Sequence, residues 1–184
     1  MPKFIYCVSC NTGKEEKTKY ELKQALPEAT VMCPSFDRKE RKRGTWSVKT
    51  YILIPGYLFI YSEEILASDT FYSMKGINRL VGYVQQDDQG SILETKAFTE
   101  ADFSFARWLY DQQGHIRLSQ AMLVGDKTKI ISGPLLDYEG EIIRINRQRQ
   151  SALVSITICG TEKKVWLSFH WMMLKDGKLI EWER

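Results

Sequence analysis

The sequence predicts two domains: an α/β N-terminal domain with an antiparallel sheet and flanking helices, then a small all-β barrel. Three observations carry this. Over residues 1–112, apolar strand-like runs are interleaved with segments of helical spacing. Residues 113–121 are polar and without strong periodicity, the character of a linker. Over residues 122–184, short β-branched strands recur between glycine-bearing turns, the pattern of a small barrel.

The elements follow in order. Phe4 to Cys10 reads as a short strand, and Gly13 lies in the loop after it. From Lys14 the spacing is helical, with Leu22, Ala25 and Leu26 on one face. Thr12 is the expected N-cap, Glu15 and Glu16 suit the positive end of the dipole, and Pro27 stops the helix. Residues 29–34 read as a strand. The basic run Arg38-Lys-Glu-Arg-Lys-Arg43 ends at Gly44 and forms a hairpin arm with Trp46 beyond it. The run from Tyr51 to Ile60 is apolar on nearly every residue, so it is expected at the centre of a sheet. Ser68-Asp69 caps a helix over 70–75, residues 79–84 return as a strand, and Phe98 to Asp111 reads as a last helix, with Thr99 before Glu100 and Asp102. In the second domain, strands are expected over 127–131, 139–145, 152–158 and 163–168. Polar turns fall at 147–150 and 159–162. A barrel of about 60 residues is marginal alone. Trp166, Phe169, Trp171 and Trp182 are expected to thicken its core.

Composition excludes several function classes. The 184 residues carry a formal net charge of only +3, so the distribution of charge matters more than its sum. No cleavable leader is evident, and no apolar run approaches the roughly 20 residues that span a bilayer, so a cytosolic protein is expected. Cys7 and Cys10 form a C-x-x-C. Along a strand, residues i and i+3 face opposite ways, no second pair exists, and the only histidines are His115 and His170. No metal site and no cofactor are expected. Phosphate-loop, dinucleotide, nucleophile-elbow and zinc-protease signatures are all missing, so no enzyme is expected. The acidic pairs Glu63-Glu64 and Asp87-Asp88 read as solvated charge rather than an acid/base couple.

Gly125 to Asn146 pairs turn residues Gly125-Asp126 and Ser132-Gly133-Pro134 with the apolar run Ile142-Ile143-x-Ile145. This resembles a KOW motif. Upstream, Phe4 to Lys17, then Tyr51-Ile-Leu-Ile-Pro-Gly-Tyr-Leu-Phe-Ile60, then Met74 to Tyr83 resemble the N-terminal domain of the NusG family, whose pattern includes a Pro-Gly-Tyr strand. The ordered series spans nearly the whole chain. The resemblance implies a non-enzymatic bacterial transcription elongation factor, an expected monomer with an SH3-like barrel. It implies contact with the clamp helices of RNA polymerase through Ile5, Ile54, Tyr57, Phe71 and Leu80. Contact with non-template DNA is implied through Asn11, Thr12, Lys14, Lys17 and Lys75.

The basic residues of the barrel point to RNA, with a nascent hairpin as the ligand: Lys127, Lys129, Arg144, Arg147, Arg149, Lys163 and Lys164. Many relatives grip ribosomal protein S10 or Rho through an aromatic in the turn after the third barrel strand, and here Cys159 stands in that turn. With Ile5 and Ile54 in place of the family's large aromatics, this favours a specialised paralogue similar to the LoaP type of antiterminator. An RfaH-like helical refolding of the barrel is disfavoured by its Ile, Val and Thr density. A general NusG-type factor coupling polymerase to ribosome or Rho, and a ribosomal-protein-like RNA binder, remain as rival readings. Lysines spaced through hairpins are also what ordinary solubilising surface looks like.

Overall fold

The computed structural model describes residues 2–138, 141–158 and 160–182. The chain is mostly β, with three α-helices among the described residues and sheets of both antiparallel and mixed type. It divides into two compact units. The first comprises Met1–Pro34, Ile52–Gly114 and Thr157–Thr161; the second comprises Ser35–Tyr51, His115–Ile156 and Glu162–Arg184.

The first unit is built on an antiparallel sheet of β1 (Phe4–Cys10), β2 (Thr30–Met32), β5 (Tyr57–Ser62), β6 (Ile77–Gln86) and β7 (Ile92–Lys96), in the order β2-β5-β1-β6-β7. Alternation along β1 sends Tyr6, Val8 and Cys10 into one core with Leu22, Leu58, Ile60 and Phe71. These come from α1 (Glu15–Ala25), β5 and α2 (Ser68–Tyr72). Ile5 pairs with Tyr61 on the other face, where the Tyr61 hydroxyl donates to the Ala106 carbonyl at 2.7 Å. That face is therefore covered by α3 (Glu100–Asp111). Thr99 caps α3 through a reciprocal box with Asp102, so the helix begins at Glu100 rather than at Phe98. Phe103, Phe105, Ala106, Trp108 and Leu109 are all buried.

Four sequence expectations are corrected here. The apolar run 51–60 is not one strand. β4 (Thr45–Ile52) ends, Pro55 supplies no donor, Gly56 turns at φ +82°, and β5 starts at Tyr57. The two halves lie in different sheets, and β1 rather than β5 is central. Lys14, not Thr12, is the N-cap of α1, and no side chain of that residue caps the helix. The helix expected over 70–75 runs from Ser68 to Tyr72. The polar stretch 113–121 carries β8 (His115–Ile116) and the start of β9 (Ser119–Val124), because long-range partners supply pairing that its sequence does not advertise.

In the second unit, β3 (Ser35–Lys42), β4 and β8 make a three-stranded sheet in the order β4-β3-β8. The larger sheet contains β9, β10 (Lys127–Ser132), β11 (Ile142–Asn146), β12 (Ser151–Ile158), β13 (Thr161–Lys175) and β14 (Lys178–Glu181). Its order is β10-β9-β13-β12-β11, with β14 on β13, and β9 runs parallel to β13. Phe169 and Trp171 are fully buried and meet edge to face at 5.0 Å, and Ile130, Leu135, Ala152 and Val154 of the same unit are buried too. Trp166 and Trp182 are only half-buried, so two of the four expected core aromatics lie nearer the surface. Gly140 and Cys159 lie outside the described residues.

Candidate nucleic-acid interface

The basic arm is a hairpin because Arg43 and Gly44 both adopt positive φ, 50° and 85°, which is the two-residue turn that matches strand twist. Its β3 strand is fastened to the rest of the second unit by Lys39. The Lys39 backbone N–H donates to Ser168 Oγ at 3.1 Å. Its ammonium, 3% exposed, donates to Gln150 Oε1 at 2.9 Å and to Glu181 Oε1 at 3.1 Å. The His170 Nδ1 stands 3.2 Å from that ammonium and also meets Glu181. Burial pushes the Glu181 carboxyl up, but hydrogen bonds from Lys39 and His170 outweigh it and leave the pKa below its ordinary value. Lys39 also lies 5.4 Å from the Trp46 ring centroid, and Arg41 lies 5.6 Å from it.

This fastening creates an open groove of about 1110 Å³, lined entirely by residues of the second unit. Seven cationic side chains line it: Arg38, Lys39, Arg41, Lys42 and Lys49 from the arm, and Arg147 and Arg149 from the turn before β12. Glu40 is its single carboxylate, paired with Arg38 and Lys49. Trp46 and Trp166 supply aromatic surface. Arg147 is oriented by Thr128 Oγ1, 3.1 Å from its Nε, and by the Asp126 carbonyl.

The sequence-derived RNA set is thereby divided. Arg147 and Arg149 join the arm in the groove; Lys127, Lys129, Arg144, Lys163 and Lys164 are not among its lining residues. Arg147 meets Thr128, and side chains alternate along β10, so Lys127 and Lys129 face away from it. Lys127, Lys129, Arg144 and Lys164 are exposed, and Lys163 is half-buried. The sequence shows the arm's charge density but not its neighbours. Lys39, Trp46 and Trp166 were absent from the predicted set, because only the fold brings them beside Arg147.

In the first unit, Asn11, Thr12, Lys14 and Lys17 are exposed around the start of α1, with Lys17 paired to Glu21 at 3.7 Å. Lys75 is exposed too, and its neighbour Gly76 abuts Thr18 of α1, so the two segments adjoin. Glu15 holds the loop. It is 1% exposed and accepts from the Gly56 N–H at 2.8 Å. Burial raises its pKa, but backbone hydrogen bonds from Glu15, Gly13 and Gly56 prevail and lower it overall. The five residues expected at polymerase do not form one exposed patch. Ile5, Ile54 and Phe71 are fully buried, whereas Tyr57 and Leu80 are half-buried. Tyr57 shares the face of Ile5 and Tyr61, whereas Phe71 and Leu80 pack with the opposite core. Cys7, Cys10 and Cys33 are buried, and burial pushes the Cys33 thiol up to about 12. Among the described residues no cluster suits a metal ion, and no helix is long and apolar enough to cross a membrane.

A mostly β chain that gathers seven cations against one carboxylate in a single groove, while its whole sequence carries only +3, has the character of a polyanion-binding protein. Residues 4–100 match the family model described as transcription termination factor nusG, and the chain belongs to the NusG family, whose members are non-enzymatic transcription factors. It is 27% identical to the transcription termination/antitermination protein NusG of Thermus thermophilus, over 89% of this chain and 94% of that one. Against the Bacillus subtilis protein of the same name the identity is 23%, covering 92% and 97%. A structure of Thermotoga maritima NusG, concerned with its domain interaction, aligns with a TM-score of 0.46 at 22% identity, covering 91% of this chain and 94% of that one.

Proposed function

We propose that this chain is a processive antitermination factor of the specialised, LoaP-like kind. Its N-terminal unit docks on the clamp helices of RNA polymerase, and its second unit, a KOW-type barrel, is recruited by a hairpin in nascent RNA. A ligand that prefers the closed clamp shifts polymerase toward it and away from pausing. The observation that carries the reading is the concentration of unopposed cations in the second unit: among the described residues no carboxylate pairs with Arg41, Lys42, Arg147 or Arg149. Tyr57, half-buried with a polar tip, is the docking residue of the first unit on the face of Ile5; in this reading Ile54, Phe71 and Leu80 act through the fold of the unit, Phe71 and Leu80 from the core on the opposite face. In this reading Asn11, Thr12, Lys14, Lys17 and Lys75, all exposed, meet displaced non-template DNA.

The names of the relatives, transcription termination/antitermination protein NusG, favour a second reading, a general NusG-type factor; coupling of polymerase to Rho or to ribosomal protein S10 is what that reading would add. Single-round transcription through a terminator, with and without the leader RNA of the neighbouring operon, separates the two. The specialised reading expects readthrough only when the leader is present, and Tyr57→Asp in the full chain abolishes it by placing an unpaired charge in the contact. Equal readthrough on every template, or Rho-stimulated termination, selects the general factor.

A further inference from the structure

We infer that the groove between hairpin β3–β4 and the turn before β12 is a binding site for unpaired nucleotides, with bases stacked on Trp46 and phosphates held by Arg41, Lys42, Arg147 and Arg149. The inference rests on the nucleic-acid reading of the second unit and deepens it: the same groove cations are assigned to unpaired nucleotides, and the outer lysines are not part of the site.

Three features point to a single strand rather than a duplex. First, the site is a groove, and its volume of about 1110 Å³ exceeds the roughly 1,000 Å³ upper range of small-molecule pockets, which leaves room for more than one nucleotide. Second, the lining combines two indole rings with guanidinium groups, and the Arg41 guanidinium lies 5.6 Å from the Trp46 ring centroid. Stacking platforms combined with a positive channel are how proteins hold single strands irrespective of sequence, and in RNA it is the unpaired loop whose bases can be splayed onto aromatic and arginine planes. Third, the guanidinium of Arg147 is already oriented by Thr128 and by the Asp126 carbonyl, so little side-chain freedom is lost when it meets a phosphate. Lys39 does not serve as a ligand group. Its ammonium is consumed by Gln150, His170 and Glu181, and its part is to hold the arm as one wall of the groove. The outer cations Arg144 and Lys164 are left for the stem of a hairpin whose loop enters the groove.

The shared chemistry, a phosphodiester strand with free bases, belongs to RNA and to displaced DNA alike, so the test carries both. Fluorescent octauridine, octathymidine and a blunt RNA duplex are titrated with the full chain at several salt concentrations. Single strands are expected to bind more tightly than the duplex. Preference for octauridine over octathymidine assigns RNA as the source, and the reverse assigns DNA. Trp46→Ala should weaken single-strand binding by about 5- to 150-fold, the range for losing one stacked base, while Trp46→Phe retains most of it. Arg41→Ala with Lys42→Ala should lower the salt slope for single strands by about 1.4, from about 0.7 for each phosphate contact. Duplex binding equal to single-strand binding, or a folded Trp46→Ala protein that binds single strands as wild type does, overturns the inference. If single strands fail to bind but the leader hairpin binds and is lost with Arg144→Ala and Lys164→Ala, the groove is wrong and recruitment by RNA stands. If octathymidine binds but no RNA does, the groove stands and recruitment by RNA falls; if neither RNA nor single-stranded DNA binds, both fall.

Discussion

Replacing Lys39 with methionine should release the arm without emptying its site, because the two side chains are similar in length. The ammonium satisfies Gln150 Oε1, and Gln150 is 1% exposed with its Nε2 already lacking a partner among the described residues. Leaving a buried acceptor unpaired costs about 1–3 kcal/mol. The bond to Glu181 adds less, about 0–1 kcal/mol, because that carboxylate is 45% exposed and water screens it. Removing the ammonium returns its own desolvation cost, so the net is about 2 kcal/mol rather than the sum. Two units within one chain make a single unfolding free energy ambiguous, so the readout is amide exchange of the β3 and β4 strands. Protection there should fall by about 30-fold, the equivalent of about 2 kcal/mol at 1.36 kcal/mol per decade. Adding Gln150→Leu should recover most of that loss, since both polar partners are then replaced together. Unchanged protection in Lys39→Met would refute the idea that this cluster fastens the arm. So would a double variant as labile as the single one.

Two further outcomes follow from the first unit. Glu15 has a lowered folded pKa, so its stabilisation is fully present above its unfolded value of about 4.3 and is lost as pH falls through the folded one. The stability difference between wild type and Glu15→Gln should therefore be about 1–2 kcal/mol and flat at neutral pH, then shrink in acid. A difference independent of pH down to the acid limb would exclude the carboxylate as its source. Gly82→Ala should cost about 1–3 kcal/mol in urea titration, because a Cβ there meets the Lys96 carbonyl and the Phe98 ring at 2.7 Å. A neutral Gly82→Ala would show that β7 yields freely.

Much of the first unit was legible because its signals are local. The Thr99–Asp102 capping box, the Pro27 stop and the Arg43-Gly44 turn each act within a few residues. The Pro-Gly-Tyr segment is visible as a motif, but the apolar pattern alone extends it as one continuous strand. Its break depends on Gly56 fitting against Thr12 and the Cys10 carbonyl, with Cβ distances of 3.1 and 3.2 Å, which is a tertiary fact. β8 and β9 were missed for the same reason. His115 and Ser119 find partners at Ser35 and Phe169, eighty and fifty residues away by their numbers. The groove combines residues from three separate stretches of sequence, so charge density along the chain disclosed its parts but not their meeting. Polar capping by a buried glutamate was likewise invisible: Glu15 looked like a dipole residue, and only its burial shows it holding the Gly56 turn.

The discontinuous second unit sets a timetable for synthesis. Residues 35–51 leave the ribosome early, but the groups that fasten them, Gln150, Ser168, His170 and Glu181, are translated more than a hundred residues later. At about 5–20 residues per second the arm waits on the order of ten seconds before its last anchor is made. Throughout that interval its arginines and lysines hang from a nascent chain among ribosomal and messenger RNA. A separately expressed C-terminal half would never receive the arm at all, so any gene fusion or truncation that divides the chain near residue 112 also removes one wall of the groove.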